Sequence, residues 1–302
     1  MRITNNTMAY SFLNSLNKSL ERQYDIQEQL ADRKAIHRPS DDPIKTIRSL
    51  RFNSNLKQNE QYTQNVKDAQ SWMETTDSAM SDLSSIMINI KEQVVQASNG
   101  TNPEDAVKTI GKAIDNLINH MITIGNTKIG DRYIFAGQQD KTEPFKRVGD
   151  EIFYNGDASK ISMPIQPGVA TPNQDSVNLT GFEVFGDGLS VLNNLIEIKQ
   201  KLEDGSAESQ KWLSETGLKY IEDGHNKMLK SQTELGTRMS MYEMAQTMME
   251  KNNTIITGDV AANEDLDIPK AIIDFKNAEN VYRMALSVGA KIMPASLVDF
   301  LR

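Results

Sequence analysis

The sequence predicts a mainly α protein with a small β insert: a long antiparallel helical bundle or coiled coil built from both chain ends, with a β-rich domain at its tip. Three observations predict it. Apolar residues recur at steps of three and four in both extreme segments, 1–36 and 268–302. The same period runs through long stretches on either side of the middle, and between about 131 and 189 it gives way to period two with turn residues. Ends that carry apolar stripes need a partner to bury them, and the simplest partners are each other and then other copies of the chain.

In the first helical segment Leu13, Leu16, Leu20, Gln23, Gln27 and Leu30 follow coiled-coil spacing with two polar entries. In the last, Ile268, Ile272, Phe275, Tyr282, Leu286 and Met293 form a stripe that Val281, Ala285, Val288 and Ile292 widen. One partner helix covers one side of such a face, so apolar surface is left for assembly. The residues expected to supply it are Leu13, Leu16, Leu20, Leu30, Ile272, Phe275, Tyr282, Leu286, Ile292 and the terminal Leu297, Phe300 and Leu301 beyond Pro294. Between the ends, Pro39-Ser40-Asp41-Asp42-Pro43 reads as a turn that caps a helix with proline in its first turn. From Val66 the positions Ala69, Met73, Thr76, Met80, Leu83, Met87, Ile90, Val94 and Ala97 alternate three and four without a break. Asn99-Gly100 stops that helix, and Asn102-Pro103-Glu104-Asp105 starts another with Val107, Ile110, Ile114, Leu117, Met121 and Ile124 on its stripe. A matching run follows later: Leu218, Ile221, His225, Met228, Gln232, Leu235, Met239, Tyr242, Gln246, Met249, Asn253 and Ile256. Long helices of this kind bundle, and their seam residues read as core.

The middle reads as strands. Tyr133-Ile134-Phe135 is one; Ile152 and Tyr154 lead into Asn155-Gly156, a hairpin signal, with Ile161, Met163 and Ile165 on the return. Val177, Leu179, Phe182, Val184 and Phe185 complete the set, and Pro167-Gly168 and Pro172-Asn173 mark loops. Leu189, Leu192, Leu195, Ile196 and Leu202 return the chain to helix. The expected domains are therefore 1–42 with 262–302 (terminal coiled coil), 43–130 with 190–261 (helical rod) and 131–189 (β domain).

Composition suits helical rods rather than a large globular core: of 302 residues 6% are aromatic, and mean hydropathy is −0.51. A formal charge of −8 argues against nucleic acid or an anionic membrane as partner, since both select basic faces. Cysteine is absent, which excludes disulfides and cysteine metal sites. No segment approaches the ~20 apolar residues of a membrane span. Met1–Thr7 carries one charge and no apolar h-region, so a cleaved signal peptide is not expected.

Enzymatic readings fail on specific grounds, and no catalytic, cofactor or metal residue is expected. His37, His120 and His225 are the only histidines, and no His-Glu-x-x-His or other close ligand pair exists. His225 falls on a helical seam and reads as core or polar-layer packing. Ser15-x-x-Lys18 lacks the accompanying Ser-Asp-Asn and Lys-Thr-Gly elements and reads as a solvated helix face. Asp265 and Asp267 lose any likeness to a calcium loop at Pro269 and read as helix capping. Asn178-Leu179-Thr180 is a chance glycosylation match without an assigned role.

Four segments carry a resemblance: Arg38-Pro39-Ser40-Asp41-Asp42-Pro43; Asn59-Glu60-Gln61-Tyr62 with Asp68-Ala69-Gln70-Ser71-Trp72 and Thr75-Thr76-Asp77; Arg132-Tyr133-Ile134-Phe135-Ala136-Gly137 leading to Pro144-Phe145; and Ala285-Leu286-Ser287-Val288-Gly289-Ala290-Lys291-Ile292 with Ser296-Leu297-Val298-Asp299-Phe300-Leu301. In this order they resemble the flagellar hook-associated protein type 3 family, flagellin-like proteins of the hook-filament junction, over essentially the full length. The resemblance implies a structural adaptor of the bacterial flagellum, outside the cell. It would be exported by the flagellar type III system without a cleaved signal, and would self-assemble into a ring between hook-associated protein type 1 and flagellin. Its implied partners are copies of itself, those two proteins and an export chaperone. Flagellin itself, a filament subunit, is the nearer alternative. A cytoplasmic coiled-coil signalling module is the more distant one, since it needs neither a β insert nor an apolar extreme C-terminus.

Overall fold

The computed structural model describes residues 5–99, 103–165 and 176–292. Helices α1 (Asn5–Asp32), α2 (Pro43–Ala97) and α3 (Glu104–Gly125) lead to two small antiparallel sheets. These are β1 (Lys128–Ile129) with β2 (Arg132–Tyr133), and β3 (Phe145–Val148) with β4 (Glu151–Tyr154). Then come α4 (Gly181–Phe185), α5 (Ser190–Asp204), α6 (Ala207–Trp212), α7 (Leu218–Glu264) and α8 (Ile268–Ile292). The architecture is mainly α with a small β insert, as the sequence indicates. The chain divides into two compact units, Met1–Gln58 with Asn252–Arg302 and Asn59–Lys251.

The core belongs to the second unit. Every buried apolar side chain among the described residues except Ala271 lies there. The α2 stripe from Val66 to Ala97 is at most 1% exposed at all ten positions read from the sequence, Thr76 included. Thr76 escapes the cost of an unpaired buried hydroxyl by donating to the Trp72 carbonyl at 2.8 Å. In α7 the sequence stripe divides: Ile221, Met228, Leu235, Tyr242 and Met249, seven apart, are buried, while His225, Gln232, Met239 and Gln246 are half-buried. The two helices run antiparallel in this unit. Asn59 Nδ2 donates to the Met249 carbonyl at 2.9 Å, Gln232 Nε2 to Asp77 Oδ1 at 3.0 Å, and Ser84 Oγ lies 2.8 Å from His225 Nε2. His225 is thus a polar layer on its seam, and burial pushes its pKa below the usual histidine value, with Lys91 adding to the effect.

A second antiparallel pair, α3 and α5, completes the bundle. A Cβ at Gly111 would meet Leu202 Cβ at 3.2 Å, so the two helices approach closely there. The β3–β4 hairpin is clamped to this pair by charge: Arg147 reaches Asp115 on α3 at 2.5 Å, and Lys199 on α5 reaches Asp150 at 2.9 Å. Beneath it Phe145 packs against Tyr154 and Phe185, with centroids 5.1 Å apart in both cases.

The strands differ from the sequence reading. Tyr133-Ile134-Phe135 does not form one strand: β2 ends at Tyr133, and Ile134 and Phe135 are buried in a turn. The hairpin turn is Gly149-Asp150 rather than Asn155-Gly156, with Val148 paired to Glu151 and Gly149 at φ +65°. After β4, Tyr154 ends the ladder by turning its hydroxyl to donate to the Phe135 carbonyl at 2.8 Å. Burial pushes that phenol up to about 12. The return segment makes a single bridge, Ser162 to Ser176, and side chains hold the rest: Asn178 Oδ1 accepts from Ile161 N–H at 2.8 Å, Tyr242 Oη donates to the Met163 carbonyl at 2.9 Å, and Asn65 Nδ2 to the Pro164 carbonyl at 3.1 Å. Phe182, Val184 and Phe185 are helical, in α4. Thr180 and Glu183 form a capping box at its start. Burial disfavours the Glu183 charge, but Lys160 and Thr180 outweigh it and hold the carboxyl below the usual range. The loops expected at Pro167-Gly168 and Pro172-Asn173 lie outside the described residues.

Candidate assembly surface

In the first unit α1 and α8 pack antiparallel, Gly289 against Phe12 at one end and Leu266 beside Arg33 at the other. A Cβ at Gly289 would stand 2.4 Å from the Phe12 ring, so glycine is what admits the phenylalanine. The less exposed positions of α1 are Phe12, Leu16, Ser19, Gln23, Ile26 and Leu30; those of α8 are Ala271, Phe275, Ala278, Tyr282, Ala285 and Gly289. Both sets alternate steps of four and three, the seam of a two-helix coiled coil. The α8 seam sets two aromatics among small residues, which lets the helices approach closely but gives little area to bury.

The seam therefore leaves much uncovered. On α1, Tyr10, Leu13, Leu20 and Tyr24 form one exposed flank. On α8, Ile268, Ile272 and Leu286 lie on one side of the seam, and Ile273, Val281, Met284 and Val288 on the other, following the ~100° turn per residue of a helix. At the start of α2, Ile44, Ile47 and Leu50 are also exposed. Isolated exposed apolar residues are ordinary; contiguous flanks mark interaction surfaces.

The twelve expected assembly residues fall into three groups. Leu16, Leu30, Phe275 and Tyr282 lie on the α1–α8 seam. Leu13, Leu20, Ile272 and Leu286 lie beside it, between 43% and 48% exposed. The Ile292 side chain and Leu297, Phe300 and Leu301 lie outside the described residues. Ile273 and Met284, which share an exposed flank with Val281 and Val288, are additions. The sequence signal for that flank is Val281, Met284 and Val288 at steps of three and four, hidden by the stronger stripe of Ile272, Phe275 and Tyr282.

The connections that frame this helix pair are tightly bonded. Asp42 Oδ1 accepts from Ile44 N–H at 3.1 Å and Lys45 N–H at 3.0 Å, capping α2 directly before Pro43. Asp41 Oδ2 accepts from Arg38 N–H at 2.9 Å and His37 N–H at 3.2 Å, bonds that in that order hold its carboxyl below the usual range. Asp267 Oδ1 accepts from Lys270 N–H at 3.2 Å, so it caps α8 as read from the sequence. No group of three or more His, Cys, Asp or Glu among the described residues could hold a metal ion.

Residues 3–140 match the model of the bacterial flagellin N-terminal helical region. The chain is 25% identical over 267 residues to flagellar hook-associated protein 3 of Escherichia coli K12, covering 82% of this chain and 83% of that protein. Phase 1 flagellin of Salmonella naestved is also 25% identical, but over 198 residues that cover 62% of this chain and 39% of the flagellin. The crystal structure of Xanthomonas campestris FlgL matches with a TM-score of 0.62 at 16% identity, over 70% of this chain and 99% of that one. The chain is thus similar to the bacterial flagellin N-terminal helical region over residues 3–140 and to flagellar hook-associated protein 3 over about four-fifths of its length.

Proposed function

We propose that the protein is a structural subunit of the bacterial flagellum, an adaptor at the hook-filament junction that joins hook-associated protein type 1 to flagellin. It performs no catalysis. Its work is to bury apolar helix faces against neighbours: copies of itself in a ring, and the proteins above and below. The observation that carries this reading is the α1–α8 pair, closed along one seam and apolar on both sides of it, in a chain that matches hook-associated protein 3 along four-fifths of both lengths. Export through the flagellar type III system with an escorting chaperone fits a chain whose end segments complete their burial only after delivery. Fixing a residue costs roughly 1–2 kcal/mol of entropy, so neighbours must add surface before such ends gain full order.

Immunogold labelling of isolated flagella tests the proposal. A single band at the distal end of the hook is the expected result. Label along the whole filament would instead make the protein a flagellin, the second reading favoured by equal identity to phase 1 flagellin over a shorter span. Flagella without label would overturn both.

A further inference from the structure

Two chain connections lie side by side in the first unit: residues 33–42 between α1 and α2, and residues 265–267 between α7 and α8. Arg33 turns the chain out of α1 at φ +60°, a left-handed conformation that non-glycine residues rarely adopt. Lys34 and Asp265 then form an isolated antiparallel bridge. Ala35 N–H donates to the Glu264 carbonyl at 2.7 Å, and Leu266 N–H to the Arg33 carbonyl at 3.0 Å. Two adjacent backbone bonds hold the connections together, but they form a narrow strip that offers little resistance to rotation about it.

The Glu264 side chain supplies what the bridge lacks. Glu264 is the last residue of α7, and its side chain is only 13% exposed. Its Oε1 accepts from Ser49 Oγ and, at 2.8 Å, from Asn53 Nδ2, two residues one turn apart on α2. Its Oε2 lies 3.3 Å from Lys34 Nζ, in the α1–α2 connection. The preceding residue reinforces the tie, with Asn263 Nδ2 donating to the Lys45 carbonyl at 2.9 Å. One carboxylate carried on α7 therefore grips both α2 and the strip on which the α1–α8 pair is hung.

We propose that Glu264 is the latch of a joint at the base of the α1–α8 pair: its bonds to Ser49, Asn53 and Lys34 fix the direction in which that pair leaves α2 and α7. Without them the pair swings about the Lys34–Asp265 bridge. The latch goes beyond the flagellar reading, and its test on the purified full chain does not depend on that reading. A joint whose direction is fixed by side chains can be set or released without unfolding a helix.

The absence of cysteine makes the test direct. Asp25→Cys on α1 and Lys57→Cys on α2, both exposed, carry nitroxide labels in the full chain, and pulsed electron-spin resonance gives their distance distribution. The parent should show one narrow distribution. Glu264→Ala should widen it at least twofold, and so should Ser49→Ala combined with Asn53→Ala, which leaves α7 untouched. Glu264→Gln keeps an acceptor for Ser49 but loses the Lys34 charge, and should fall between. Variants that melt earlier but keep the parent's width would overturn the latch and leave Glu264 a mere stabilising contact. A parent as broad as the variants would overturn it equally. If Glu264→Ala loses helix content by circular dichroism, the Ser49/Asn53 variant decides by the same two criteria.

Discussion

Replacing Ile272 and Leu286 together by aspartate should abolish assembly while leaving the monomer folded. Both side chains are 44% exposed and lie beside the α1–α8 seam rather than on it. Full burial of such a side chain is worth about 1.5–3 kcal/mol, so roughly half of that, about 1 kcal/mol each, remains to be gained when a neighbour covers them. Summed over Leu13, Leu20, Ile272 and Leu286 the gain per subunit is ~4 kcal/mol, about a thousandfold in association. Aspartate removes two of these contributions and adds charge that the interface must desolvate without a partner, a cost of several kcal/mol. In the monomer the same aspartates stay in water, where surface substitutions usually remain within about 0.5 kcal/mol. Sedimentation of the purified variant should show monomer only, with a thermal midpoint within a few degrees of the parent. In cells, hooks should lack stable filaments, and flagellin should appear in the medium. Motile cells with normal filaments would refute the claim that this flank drives assembly. A collapsed melting temperature would show that it holds the monomer together instead.

Leu83 is fully buried on α2, so Leu83→Ala should cost about 2–5 kcal/mol in urea unfolding of the second unit. Limited proteolysis of the dilute protein should leave a resistant core close to Asn59–Lys251, because the first unit buries little beyond Ala271; cleavage within that span at equal rate would contradict this. Ser49 first, then Asn53 and Lys34, hold the Glu264 carboxyl below its ordinary value. A depressed carboxylate stabilises above its unfolded value, and the effect is lost as pH falls through the folded one. The Asp25/Lys57 label distribution should therefore stay narrow from neutral pH past the ordinary glutamate range and broaden only in stronger acid, with Glu264→Gln insensitive to pH over that span. Leu297→Asp with Phe300→Asp should also block assembly with the melting temperature unchanged, which motility and calorimetry together would check.

The sequence alone determined the long helices and their buried faces where one stripe stood clear of its neighbours. From Val66 to Ala97 a single three-four run goes unbroken, and Trp72, Ala79 and Ile86, buried beside it, widen that same core face of α2. The capping turns at Asp42-Pro43 and Asp267 were legible for a similar reason: a carboxylate one residue before a helix satisfies the same free N–H groups in any fold. The middle was less readable. Two turn signals compete there, Gly149-Asp150 and Asn155-Gly156, and only the packing of Phe145 and Tyr154 against α4 decides which one closes the hairpin. Thr180 and Glu183 did carry a capping signature for α4, but the alternating apolar residues after it suggested a strand. On α1 the sequence offers two adjacent stripes, one through Phe12, Leu16 and Gln23 and one through Leu13, Leu20 and Tyr24. Periodicity is the same for both. Tertiary structure chose the first, because Gly289, Ala285 and Ala278 make a shallow track on α8 that takes Phe12 and its seam. The leucine stripe was left outside, apolar and half exposed.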